Sequence, residues 1–441
     1  MMGERSMEYD KAVEYMNKSF DGTHKKGLEV VKEILKLTKN PQNDLQIIHI
    51  AGTNGKGSTS SMLNNILTEE GYKVGLFTSP HVERPNERLR INNEPISDGD
   101  FAHEMLSVKK LTDLYFQREG ETLSFFEIFT IMAFTYFKRE KVDYVILEAG
   151  IGGLEDATNV TEKSLLSVIT SISFDHIDIL GDTLSEIAIQ KAGIIKNDTP
   201  VVLYYNNDSV KNIISDIAKS KNAPFFYVGD DLEINITELN SHKSIYGVKN
   251  KFINYDKIEL RLIGEYQIYN SITALLCVEA LRKCGVEISE SSVLNGLKKA
   301  QWAGRMEIFN LDNKEILLEG AHNLDAIMHL KKSLQNFYKN KKIILVMGVL
   351  KDKECDKMFL EISGEPDEII LTSPNSARAK DPREITIYDA DKTEIIANNK
   401  DAITKALRDC DDESIVCVTG SLYLIGDARR IILDLGGKKY D

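Results

Sequence analysis

Leu45-Gln46-Ile47-Ile48-His49-Ile50 runs into Ala51-Gly52-Thr53-Asn54-Gly55-Lys56-Gly57-Ser58-Thr59, and a segment of helical character follows from Ser58 to about Glu70, where Gly71 stops it. A buried strand, a glycine turn and a helix in that order form the setting of a phosphate loop. Glycines let backbone N–H groups turn inward, and the helix N-terminus adds a positive dipole. Lys56 is placed to reach the outer phosphates of a nucleotide such as ATP. Ser58 or Thr59 would face a magnesium ion. The match to G-x-x-x-x-G-K-[ST] is imperfect, because Ile50 stands where the first glycine would be and Gly57 intervenes between Lys56 and Ser58. A glycine turn that merely caps a helix is the competing reading.

Outward from this loop, strand-like apolar runs alternate with helical segments. Lys73–Phe77, Tyr144–Leu147, Ser167–Thr170, Pro200–Leu203 and Pro224–Tyr227 read as core strands, and Phe125–Lys138 as a strongly apolar helix. Strands separated by helices imply a mostly parallel sheet covered on both faces. From about 231 to 262 short alternating segments suggest appended β-hairpins. Two helices follow, near Asn270–Lys283 and Ser289–Lys299. Gln301-Trp302-Ala303-Gly304-Arg305 reads as a hinge, beyond which β-α alternation restarts. The expected fold class is α/β: an N-terminal phosphate-loop ATPase domain over 1–299 and a smaller, Rossmann-like C-terminal domain over 300–441.

The chain has 441 residues, with 55 Lys and Arg against 68 Asp and Glu, a formal charge of −13. That argues against a protein whose main task is gripping nucleic acid. No run of about 18 apolar residues predicts a membrane span, and Met1 to Asp10 lacks the apolar core of a secretory signal. Cys277, Cys284, Cys355, Cys410 and Cys417 form no Cys-x-x-Cys pair, so buried free thiols in a reducing cytoplasm are expected.

Potential metal ligands stand just after the core strands: Ser79 and His81, Glu148, and Asp175-His176. In open α/β sheets ligands bind at the carboxyl ends of strands, so these side chains could converge on the phosphate loop. Magnesium favours oxygen ligands and bridges phosphates. Lys191-Ala192-Gly193 lies on a further helix, Leu184–Ile195, yet a plain lysine ammonium cannot bind a cation.

Taken together, the motifs resemble those of the folylpolyglutamate synthase and dihydrofolate synthase family, within the Mur-type ATP-dependent amide ligases. The resemblance runs from about residue 10 to 430. Besides the glycine loop it rests on Ser79-Pro80-His81 with Glu87-Arg88, Ser124–Glu127, Asp156-Ala157-Thr158-Asn159-Val160, Asp175-His176 and Lys191–Lys196. In the second domain it rests on Gly304-Arg305, Gly320-Ala321-His322-Asn323, Gly348–Lys353 and Gly420-Ser421-Leu422-Tyr423. The resemblance implies ligation of L-glutamate to a folate or a dihydropteroate through an acyl phosphate. It implies that Thr53 to Thr59 hold the ATP phosphates, and that Asn270, Arg305 and Glu319 contact the nucleotide across the cleft. Ser79, Glu148 and His176 would be magnesium ligands, and Lys191 would carry a carbamate that ligates a second magnesium. His322 would approach the transferred phosphoryl group. Thr23, His24 and Lys25, Ser124, Phe125, Phe126 and Glu127, and Glu155, Asp156 and Ala157 would lie near the acceptor. A cytoplasmic monomer acting on small molecules, without nucleic acid or membrane, is the expectation. Leu154 departs from the family's arginine, Glu319 from its aspartate and Gln190 from its glutamate, so a Mur-type ligase for another carboxylate is the alternative.

Overall fold

The computed structural model describes residues 2–19, 28–120 and 123–440. The run Ile47–Ala51 forms β1 and is buried along its whole length. Ile48 and Ile50 enter the core on one face of the sheet and Ile47 the core on the other, as the two-residue period of a strand requires. With β2 (Val74–Phe77), β3 (Leu89–Ile91), β4 (Glu94–Pro95), β5 (Tyr144–Glu148), β6 (Leu166–Ile169), β7 (Val201–Leu203) and β8 (Phe225–Tyr227) it builds a sheet of order β4-β3-β2-β5-β1-β6-β7-β8. Only β3 and β4 pair antiparallel. The chain leaves β1 for β2 and β5 on one side, then crosses to β6 on the other. That reversal opens a crevice at the carboxyl end of β1, where the glycine loop lies.

One face is covered by the helices Lys56–Glu69, Glu265–Lys283 and Glu290–Lys299. The other carries Leu28–Leu37, Asp98–Glu119 and Phe125–Arg139. The expected hairpin region is a three-stranded antiparallel sheet of β9 (Glu233–Leu239), β10 (Ser244–Lys249) and β11 (Asn254–Leu260), whose Tyr246, Val248, Ile258 and Leu260 complete the first of these cores.

The chain passes through residues 300–306 into a second large sheet, of β12 (Glu307–Leu311), β13 (Lys314–Glu319), β14 (Lys342–Met347), β15 (Glu368–Ser373), β16 (Thr393–Asn398), β17 (Ser414–Thr419) and β18 (Lys438–Lys439). Its order is β16-β15-β14-β17-β13-β12-β18, parallel except at β12 and β18. The molecule is thus mixed α/β with two largely parallel sheets, and we propose residues 300–306 as the boundary between the domains expected over 1–299 and 300–441. No helix among the described residues is long and apolar enough to cross a membrane. Four of the cysteines are buried as expected, but Cys284, at the end of its helix, is exposed.

The two lobes touch directly. Arg429, on the helix Leu422–Asp434, reaches Glu83 of the first lobe at 2.5 Å and also pairs with Glu307. On the same helix Gly426 lies so close that a Cβ would fall 2.0 Å from the carbonyl oxygen of Val82. Backbone cannot yield as a side-chain tip does. Gly426→Ala should therefore loosen the lobes at a cost of about 1–3 kcal/mol. The expected readouts are unchanged circular dichroism, a lower Tm and a larger radius of gyration by small-angle scattering.

Candidate active site between the two lobes

A cleft of about 460 Å³ opens between the lobes, with residues 52–58 along one wall. Gly55 adopts φ +85°, a left-handed conformation that favours glycine, and starts the helix Lys56–Glu69. Lys56 folds back over the loop and donates from Nζ to the Gly52 and Thr53 carbonyls at 3.0 and 3.1 Å. Ser58 lines the cleft and accepts from Gln267 Nε2 at 3.1 Å. Thr59 is fully buried inside its helix, so of the two hydroxyl residues only Ser58 faces the cleft. Gly57 occupies the first helical turn, where a Cβ would lie 2.6 Å from the indole Nε1 of Trp302. The glycine that breaks the general phosphate-loop pattern is the floor on which the hinge tryptophan rests.

The strand ends converge as the topology demands. Glu148 ends β5, and Ser79 follows β2. Ser79 N–H donates to Glu148 Oε2 at 3.4 Å, and Lys56 Nζ stands 4.0 Å from Oε1. Burial pushes the Glu148 carboxyl up to about 7 against the pull of Lys56. Lys191, on the helix Leu184–Ala192, donates to the Gly52 carbonyl at 2.8 Å. Burial, with Lys56 nearby, pulls its ammonium down to about 7, and no carboxylate among the described residues lies within ion-pair distance of it. His176 lines the same wall, and burial lowers it to about 4. The described residues contain no group of three or more His, Cys, Asp or Glu side chains that could hold a metal ion by themselves.

The second lobe contributes Arg305, His322, Lys353, Arg378 and Ser421 to Tyr423. His322 Nδ1 lies 2.9 Å from the Gly320 carbonyl, and burial lowers its pKa to about 4. The neutral ring therefore carries its proton on Nδ1 and leaves Nε2 as the lone-pair nitrogen. Asn54 joins the lobes by exchanging amide hydrogen bonds with Asn323 at 3.2 and 3.0 Å and donating to Asp325 at 2.8 Å. Lys353 donates to Asp175 at 2.6 Å. Burial disfavours an ionised Asp175, but Lys353, His176 and His322 outweigh it and hold the carboxyl well below its usual range.

Two expected nucleotide contacts sit behind the wall. Asn270 is buried under Gly55 and bonds Gln267 at 2.9 Å. Glu319 accepts from Met306 N–H at 2.8 Å and the Tyr266 hydroxyl at 3.1 Å, and stands 3.6 Å from Arg305. Neither lines the cleft. On the expected acceptor side, Ser124, Phe125, Phe126 and Glu127 do line it. Ser124 and Glu127 also close a capping box at the start of Phe125–Arg139, with Ser124 N–H donating to Glu127 Oε2 at 2.7 Å. Asp156 and Ala157 line the cleft, whereas Glu155 is exposed outside it. Thr23, His24 and Lys25 lie outside the described residues. The sequence assigns no role to Arg88, Lys353 or Arg378, although the first two stand inside quoted motifs; Asp175, grouped there with His176 as a potential metal ligand, is instead paired with Lys353.

Helix propensity alone would favour alanine over glycine at position 57 by about 1 kcal/mol. In the native context Gly57→Ala should instead displace Trp302 or the loop and raise the KM for ATP by about tenfold or more. Pairing it with Trp302→Ala should recover most of that loss in the same nucleotide titration.

Two family models match the chain: the Mur ligase middle domain over residues 50–278, and the Mur ligase, glutamate ligase domain over residues 304–422. A dihydrofolate synthase/folylpolyglutamate synthase of Bacillus subtilis is 36% identical, over 92% of this chain and 95% of its own length. A Mycobacterium tuberculosis folylpolyglutamate synthase, solved in complex with ADP and AMPPCP, superposes with a TM-score of 0.86 at 28% identity, covering 98% of this chain and 100% of that one. FolC of Escherichia coli, solved with DHPP and ADP, superposes with a TM-score of 0.85 at 26% identity, covering 96% and 98%. Matched in both halves and along almost its whole length, the chain belongs to the folylpolyglutamate synthase/dihydrofolate synthase family of Mur-type ligases.

Proposed function

We propose that this protein uses ATP to join L-glutamate to the carboxylate of a folate, and to dihydropteroate. The observation that carries the reading is the convergence of Lys56, Lys191 and Glu148 on one glycine loop, opposite His322 and Arg305 from the other lobe. A carboxylate is a poor acyl donor until its oxygen becomes a good leaving group. Its oxygen attacks the γ-phosphorus of ATP, and the bond to ADP breaks. The glutamate amine then attacks the acyl carbon, phosphate departs with the former carboxylate oxygen, and the amine loses a proton. Both steps build negative charge, which Lys56, Arg305 and the loop N–H groups are placed to stabilise. His322 brings a neutral ring to the transferred phosphoryl group.

The residues fit magnesium of the kind that keeps waters and leans on phosphate oxygens, since one carboxylate, Glu148, stands beside Ser79 with His176 on the same wall. Bound there with a second ion, magnesium would neutralise phosphate charge. Lys191 fits the expected carbamate, because its amine is buried and lacks a carboxylate partner among the described residues. Carbon dioxide adds to the neutral amine, the nitrogen loses one proton to water, and the resulting carbamate is an anionic oxygen donor.

The direct test supplies purified protein with ATP, magnesium, L-glutamate and either dihydropteroate or a reduced folate. ADP release with a conjugate one glutamate longer is expected. Turnover only with other carboxylates would assign a different acceptor, and no ADP with any carboxylate would overturn the ligase reading. Lys191→Ala should lower kcat by about 10²- to 10³-fold and raise the magnesium requirement. Unchanged activity and magnesium dependence would exclude the carbamate.

A further inference from the structure

Arg88 ends the short 3-10 turn Pro85–Arg88 and leads into β3. Its carbonyl accepts from Thr78 N–H at 3.1 Å, which ties it to the strand end that carries Ser79. The residue is only 5% exposed. Its guanidinium lies over the rings of Phe125 and Phe129, 4.8 and 5.3 Å from their centroids. Nε donates to His81 Nδ1 at 2.9 Å. Two aromatic faces and one hydrogen bond thus fix the plane of the group.

The remaining donors are unpaired. A guanidinium presents five N–H groups. Among the described residues the Nη groups donate no hydrogen bond and no carboxylate lies within 4.0 Å of them. Glu87, next in sequence, is turned away and accepts from the N–H groups of Val82, Glu83 and Arg84 at 2.9, 3.0 and 2.7 Å. Glu148 is engaged by Ser79 and Lys56. Arg88 lines the cleft, and its Nη atoms are not sealed away from it. A buried cation left without a partner is strongly unfavourable, and an arginine fork matches a carboxylate in two parallel hydrogen bonds.

We propose that Arg88 binds a carboxylate of an organic substrate in the cleft, through the Nη edge that Phe125, Phe129 and His81 hold in place. The carboxylate belongs either to the acceptor or to the incoming amino acid, and both offer the same chemistry. The inference rests on the ligase reading, which the wild-type protein tests separately by its own ADP release.

The experiment compares wild type, Arg88→Met and Arg88→Lys in steady-state ligation, titrating acceptor, glutamate and ATP in turn. Arg88→Met should raise the KM for one carboxylate substrate by about 10- to 100-fold. The KM for ATP should stay within about twofold. Arg88→Lys keeps the charge but not the planar fork, and should give a smaller rise in the same KM. If the acceptor is the bound species, its neutral carboxamide analogue should inhibit wild type and Arg88→Met with equal Ki. A rise in the glutamate KM instead assigns the site to the amino acid and upholds the proposal. If both carboxylate KM values are unchanged in a variant that still binds ATP, or only the ATP KM moves, the proposal is wrong. Should Arg88→Met fail to fold, Arg88→Lys is judged by the same criteria. A wild-type protein that ligates nothing removes the basis for both readings.

Discussion

Lys56 and Lys191 both donate to the carbonyl oxygen of Gly52, at 3.0 and 2.8 Å, and the carboxylate closest to either is Glu148, 4.0 Å from Lys56. Lys191 is buried and Lys56 partly so; when both amines are charged they repel across that one oxygen, and an anion in the cleft or loss of the Lys191 charge relieves the repulsion. The cleft extends the same imbalance. Lys56, Arg88, Lys191, Arg305, Lys353 and Arg378 line it, against Glu127, Glu148, Asp156 and Asp175. The chain as a whole carries a formal −13. The cleft thus gathers cationic side chains that the chain as a whole lacks in excess, a setting suited to phosphates and carboxylates, and the proposed carbamate at Lys191 would trade one of those charges for a magnesium ligand.

Neither lobe makes this field alone. The first supplies the loop, Glu148 and Lys191; the second supplies Arg305, His322 and Lys353. Asn54, in the middle of the loop, grips Asn323 and Asp325, and Lys353 grips Asp175 beside His176. The contacts that hold the lobes together thus reach the residues that line the reaction space. The contacts between the lobes and the cations of the second lobe therefore meet at the same loop.

The strands were legible because β1, β2, β5 and β6 are continuous apolar runs, and Ser79, Glu148 and His176 stand at or just beyond the carboxyl ends of β2, β5 and β6. The β3–β4 hairpin was not read, although its turn residues Asn92 and Asn93, at φ +48° and +73°, are the type such tight turns select. The helix Asp98–Glu119 was missed although its buried Phe101, Met105, Val108, Thr112 and Tyr115 recur at the spacing of one helical face. Lys353 and Asp175 are 178 residues apart, so only the tertiary fold makes them partners. The carboxylate of Glu319, an expected nucleotide contact, accepts from Met306 N–H and the Tyr266 hydroxyl and stands 3.6 Å from Arg305, which lines the cleft. An acidic residue in a motif shows that charge is wanted at that place, not which neighbour takes it.

The imperfect glycine loop gains a physical explanation from the hinge. Trp302, the only tryptophan of the chain, is seated on Gly57, and the Arg90 guanidinium lies 5.7 Å from the indole. The ring is held between the loop that would grip ATP and the strand next to β2. Three residues further on, Arg305 enters the cleft. If residues 300–306 act as the hinge proposed between the domains, any rotation there would slide the indole across Gly57 and so be felt by the phosphate loop. An ordinary side chain at that position would fill the seat and uncouple the two. The extra glycine that departs from the general phosphate-loop pattern is the position that leaves room for Trp302.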